Sequence, residues 1–160
     1  MQVLTFPLEN TMKTSIFLLV ALSVIVLCMT DGRVWKFQNQ HIIPAIPRGG
    51  CDFLIANRNI RDNNGKCKRE NTFIISNFNQ VRTVCDPRNR INVNRNLYRS
   101  PRNMRVLYCK LLGQTTNTHC KYKQIQMRKR IVIACDKIRG GFLQPVHFQA
   151  VGLLTASLLI

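Results

Sequence analysis

What this chain has least of is negative charge. Its 160 residues hold 7 Asp and Glu against 24 Lys and Arg, a formal net charge of +17. That balance argues against basic partners and points to polyanions: nucleic acid, a glycosaminoglycan or an anionic membrane. Histidine is scarce, with three in the chain, and no two cysteines stand at C-x-x-C spacing. A zinc site is therefore a poor alternative use for them, and no metal is expected. No internal repeat is present, and without an N-x-Ser/Thr sequon N-glycosylation is not expected. Long apolar runs are missing too. The apolar stretch IFLLVALSVIVL spans the twelve residues 16–27, short of the roughly 20 that a membrane helix needs.

That stretch has the length of the apolar core of a secretory signal, with Lys13 before it and the small residues Thr30 and Gly32 after it. The expected leader is residues 1–32, cleaved near Gly32–Arg33, and Met12 offers an alternative start. A buried N-terminal helix is the competing reading. Without residues 1–32 the chain keeps 23 basic and 5 acidic residues, a net +18, and six of its seven cysteines. These are Cys51, Cys67, Cys85, Cys109, Cys120 and Cys135. An even set in a small secreted chain reads as three disulfides, and spacing alone leaves fifteen pairings open. Residues 33–160 are long enough for one domain with a real core.

Val34–Ile43 is a helix candidate that must stop before Pro44; its Phe37 and His41, four apart, share a face. Residues 51–60 and 77–85 fit two more short helices, and TFIIS (72–76) has strand composition. Residues 86–103, rich in Arg and Asn, read as mostly loop with room for a short strand. Strand candidates follow at 104–112, 119–127 and 130–138. Gly140-Gly141 suits a hairpin turn before a last strand, QPVHFQAV (144–151). Helices first and paired strands later imply an α+β domain with an antiparallel sheet. The tail AVGLLTASLLI (150–160) is too short to span a bilayer and reads as a weakly packed extension. Arg128-Lys129-Arg130 reads as a solvated hairpin end, with polyanion binding or nuclear targeting as the lesser alternative.

Taken singly, His41, His119 and His147 are ordinary structural or exposed histidines. Two histidines brought together across a basic cleft could act as general base and general acid near neutral pH. Three segments carry a resemblance in that direction. KFQNQH (36–41), CKRENTF (67–73) and PVHF (145–148) resemble, in the same order, the signature segments of the pancreatic-type ribonuclease (ribonuclease A) superfamily. The cysteine gaps fit as well, and the match runs from about Trp35 to Gln149. HIIP, CKRENTFIIS and PVHF look most like amphibian secreted ribonucleases. No cysteine follows Cys135, unlike the frog cytotoxic type, and the six-cysteine frame looks like that of angiogenins.

The resemblance implies a ribonuclease A-like α+β fold, three short helices on a bent antiparallel β-sheet, with disulfides Cys51–Cys109, Cys67–Cys120 and Cys85–Cys135. It makes His41 the base that deprotonates the ribose 2′-hydroxyl and His147 the acid that protonates the departing 5′-oxygen. Lys68 stabilises charge on the phosphoryl oxygens, and Gln40 hydrogen-bonds the same phosphate. Thr72 reads a pyrimidine, Phe148 packs on it, and Lys36 touches a neighbouring phosphate. The nucleophile is the substrate's own 2′-hydroxyl, so the substrate is single-stranded RNA and no cofactor is needed. Gln149 stands where the family places an Asp that orients the acid histidine. This departure predicts a weaker catalyst or a lower pKa for the limb that the acid histidine sets. The expected protein is a secreted, monomeric endoribonuclease. Its alternatives are a cationic antimicrobial host-defence protein acting on membranes and an angiogenin-like signalling protein with weak nuclease activity.

Overall fold

The computed structural model describes residues 9–28, 31–113 and 119–152. By its internal contacts the chain divides into residues 1–31 and 32–160. The first unit carries helix α1 (Glu9–Cys28), which contains the whole apolar stretch 16–27. No described helix is long and apolar enough to cross a membrane.

Among its described residues the second unit holds three α-helices, α2 (Gly32–His41), α3 (Gly50–Asn57) and α4 (Phe78–Arg82), with eight strands: β1 (Ile42–Ile43), β2 (Glu70–Ile75), β3 (Arg90–Asn92), β4 (Leu97–Arg99), β5 (Met104–Leu111), β6 (Tyr122–Lys129), β7 (Ile131–Lys137) and β8 (Leu143–Val151). The strands form two four-stranded sheets, ordered β1-β2-β5-β6 and β3-β4-β7-β8. Every pairing is antiparallel except that of β1 with β2, which is parallel. These two sheets, with the helices, make up the α+β architecture expected from the sequence.

Helix α2 begins two residues before the expected 34–43 and ends two before it. Ile42 and Ile43, β-branched and just ahead of Pro44, leave the helix and pair with Ile74 and Ile75. Arg58 Nη1 donates to the carbonyls of Asn39 and Ile42 at 2.7 Å each, serving groups a helix end leaves without partners. Residues 77–85 form α4, capped by the Asn77 side chain accepting from Gln80 N at 2.9 Å, and a 3-10 turn at Thr83–Cys85. The Arg- and Asn-rich stretch is more ordered than a loop. It carries a 3-10 turn at Pro87–Asn89 and both β3 and β4, because Leu97 and Tyr98 are buried between polar neighbours. The hairpin turn at Gly140-Gly141 has both glycines at positive φ, where other residues are strained. Residues 153–160 of the apolar tail lie outside the described residues; Ala150 and Val151 continue β8.

Side chains alternate along β2 and β5, and the alternation splits the core in two. Ile74 and Val106 join Phe37, Val81, Val84, Tyr98, Ile131 and Ile133 on one face, while Phe73 and Leu107 join Ile43, Leu54, Ile55 and Tyr122 on the other. Each fully buried Ile or Phe contributes about 1.5–3 kcal/mol. The sheet that carries β2 is therefore clamped from both sides. Three disulfides join Cys51 to Cys109, Cys67 to Cys120 and Cys85 to Cys135.

Candidate active site

A cleft of about 740 Å³ lies between α2, β2, β5 and β8. Lys36, Gln40, His41, Lys68, Thr72, His147, Phe148 and Gln149 all line it. All eight candidate residues of the site are thus brought together from positions up to 113 apart. His119 is exposed and is not part of this lining.

His41, the last residue of α2, is 8% exposed. Its Nδ1 lies 2.8 Å from the carbonyl oxygen of Thr72. A carbonyl only accepts, so Nδ1 carries the hydrogen and the neutral ring keeps its lone pair on Nε2. The ring is stacked on Phe148 at 5.1 Å between centroids, and Phe37 lies at 5.5 Å on the same helix. Burial pushes the imidazole down to about 3; the Thr72 bond works against this, and the charges of Lys68 and His147 add to it.

Lys68 follows Cys67 directly, so the bridge to Cys120 fixes where its stem begins. Tyr122 Oη donates to the Lys68 carbonyl at 2.8 Å, and Lys68 Nζ donates to Asn71 Oδ1 at 3.0 Å. Burial, with Lys36 nearby, pulls the Lys68 ammonium below its usual range. Asn71 Nδ2 in turn donates to the Gln40 carbonyl at 2.8 Å. One buried amide thereby ties the lysine's head to the end of α2.

His147 is exposed on β8, and this strand does not alternate simply. Its register slips twice against β7, leaving Val146 and Gln149 without cross-strand partners. Bulges re-aim side chains, and here every residue from His147 to Val151 lines the cleft. In a regular strand His147 and Phe148 would face opposite sides.

Residues beyond the sequence-based set complete the site. Asn71 sits inside the CKRENTF segment, and its burial at 3% exposure is the sign of its role. Tyr108, directly across from Thr72 in the sheet, also lines the cleft. Burial and a hydrogen bond to Glu70 push its phenol up to about 12. Arg58 acts from behind, tying down the end of α2 while its guanidinium lies 5.9 Å from the centre of the Phe73 ring.

Two antiparallel-rich sheets, three helices on them and three disulfides around a basic cleft define the ribonuclease A class of fold. Comparison with known proteins places the chain within it. Residues 32–149 match the pancreatic ribonuclease family. The chain is 34% identical over 124 residues to the pancreatic ribonuclease of Sus scrofa, covering 72% of this chain and 94% of that protein. It is 35% identical over 121 residues to that of Iguana iguana, covering 72% and 95%. The crystal structure of zebrafish RNase5 superposes with a TM-score of 0.62 at 31% identity, covering 73% of this chain and 92% of that one. The chain belongs to the pancreatic ribonuclease family.

Proposed function

We propose that this protein is a secreted endoribonuclease that cleaves single-stranded RNA on the 3′ side of pyrimidines, without a metal. The observation that carries the reading is the convergence of His41, Lys68 and His147 on one cleft, with the His41 tautomer set so that Nε2 can take a proton.

In the proposed reaction His41 Nε2 removes the proton of the ribose 2′-hydroxyl, and the 2′-oxygen attacks phosphorus in line. Negative charge grows on the non-bridging oxygens, where the Lys68 ammonium and the Gln40 amide act. Preorganised charge of this kind is often the largest single catalytic contribution. His147 gives its proton to the 5′-oxygen as the P–O bond breaks. The products are a 2′,3′-cyclic phosphate and a free 5′-hydroxyl, and water then opens the cyclic ester more slowly with the histidine roles reversed. Thr72 reads the pyrimidine, Phe148 packs on it and Lys36 holds a neighbouring phosphate. DNA lacks the nucleophile, so it is not cleaved. A low pKa keeps His41 unprotonated before substrate binds, and the arriving phosphodiester, being negative, raises its basicity as it binds.

Residues 1–32 are read as a leader removed on secretion; the three disulfides, typical of oxidising compartments, support this. Cleavage of a pyrimidine–purine dinucleotide by the oxidised protein tests the reading, with the 2′-deoxy dinucleotide as control. His41→Ala and His147→Ala should each lower kcat/KM by about 10²–10⁴-fold. A parent protein that leaves the dinucleotide intact, or variants that cleave as fast as the parent, would overturn it.

A further inference from the structure

The open end of the β5–β6 hairpin carries positive charge that the proposed reaction does not use. Between Asp86 and Asp136 the sequence holds twelve Lys and Arg and no acidic residue. Within that stretch Arg105 on β5 and Arg128 on β6 are direct cross-strand partners, and Lys129 pairs with Met104 at the same end. All three basic side chains are exposed. The ion pairs Arg33–Asp136, Arg88–Asp86 and Lys121–Asp52 lie elsewhere, and none of them serves this end. The other like-charged pair of the hairpin, Lys110 and Lys123, differs, because Glu70 stands across from Lys110 on β2.

Like charges directly opposite one another destabilise a strand pair. Exposed charge can protect a sheet edge from unwanted pairing, but that accounts only for Arg128. β5 is an interior strand, between β2 and β6, so Arg105 guards no edge. The two arginines, with Gln126, border a hollow of about 310 Å³ that Ile75, Val106 and Met127 complete. Two guanidinium forks and a side-chain amide form a donor array suited to sulfate and carboxylate oxygens.

Two features favour a sulfated polysaccharide over RNA. Arg105 lies three residues from Tyr108, a cleft residue, so alternation sends it to the opposite face of the sheet, away from a strand bound in the cleft. Among the described residues no aromatic side chain borders the hollow, so bases would find no stacking platform there. We infer that Arg105 and Arg128 form a second anion site, separate from the cleft, that docks the protein on sulfated glycosaminoglycan chains. This inference stands independently of the proposed nuclease activity.

The test is titration of the oxidised protein with a size-defined heparan sulfate dodecasaccharide at about 0.15 M salt. Poly(U) and phosphatidylserine vesicles serve as parallel ligands. Arg105→Gln/Arg128→Gln should weaken heparan sulfate binding about tenfold and lower the salt dependence by about two counterions. Arg95→Gln/Arg139→Gln removes the same charge elsewhere on the surface and should weaken binding less than about twofold. A cooperative thermal melt no lower than the parent's shows that both variants are folded. Equal losses in the two variants, or no binding by the parent, would overturn the inference. So would a loss confined to poly(U) or to vesicles.

Discussion

The two histidines of the cleft sit in opposite kinds of surroundings. His41 is buried at the end of α2, bonded through Nδ1 to Thr72, stacked on Phe148 and braced from behind by Arg58. His147 is exposed on a strand whose register slips on both sides of it. The proposed base is therefore fixed in tautomer and position before any substrate arrives. The proposed acid is held mainly by the course of β8, and its neighbour Gln149 brings no charge. Preorganisation is concentrated on the side of the nucleophile, where in-line geometry is most demanding.

The strongest way to break the ordered side is through Lys68. Lys68→Gln keeps a polar stem but removes the charge expected to meet the phosphoryl oxygens. It should lower kcat/KM on a dinucleotide by about 10²–10³-fold. Asn71→Ala leaves the charge in place but frees the lysine head and the Gln40 carbonyl together. Asn71 is a positioning residue, so its loss should fall mainly on kcat and be smaller, about tenfold. If Asn71→Ala equals Lys68→Gln, position matters as much as charge; if it has no effect, the tie across the cleft is idle.

The same contrast has a pH signature in stability. The imidazole of His41 titrates near 3 when folded against 6.5 when free, so between those values the unfolded chain binds the extra proton. Its contribution to stability is complete above about pH 6.5 and is lost progressively as pH falls toward 3. Between pH 7 and pH 4.5 this one group should lower unfolding free energy by about 3 kcal/mol. Asp86, held at about 2 by Arg88 against an ordinary 3.8, loses its contribution below this window. Denaturant unfolding of the parent and of His41→Asn across the window checks it. The parent should lose stability and the variant much less; parallel curves would mean that His41 is not the group being titrated.

The sequence showed the residues that touch the cleft and hid most of what places them. His41, Lys68 and His147 were legible because each sits in a short segment whose residue types match a known pattern. Arg58 was not, since one arginine among 24 Lys and Arg carries no sign that it serves two helix carbonyls. The bulges in β8 were invisible for another reason. Register is a property of two strands, and QPVHFQAV alone does not say which of its residues β7 will leave unpaired. β3 and β4 were obscured by their flanks, because Arg and Asn set the local average while Leu97 and Tyr98 do the burying. What local chemistry decides could be read directly; what long-range pairing decides could not.

The smallest expected effect concerns the looser side and sharpens the contrast most. Gln149 shares the cleft with His147 but lies in a bulge, without a partner on β7. Its amide can accept a hydrogen bond from the imidazole without adding negative charge beside it. Gln149→Asp supplies that charge, which favours the protonated ring. The group that must be protonated to act as acid then stays so to higher pH, and the basic limb of the kcat/KM profile moves upward. At neutral pH the gain should be a few-fold, within about 1.4 kcal/mol, with the acid limb unmoved because it belongs to His41. A profile identical to that of the parent would show that residue 149 does not address His147 electrostatically. A shift of the acid limb instead would show that the carboxylate reaches across to the buried ring, and that the two sides are less separate than their burial suggests.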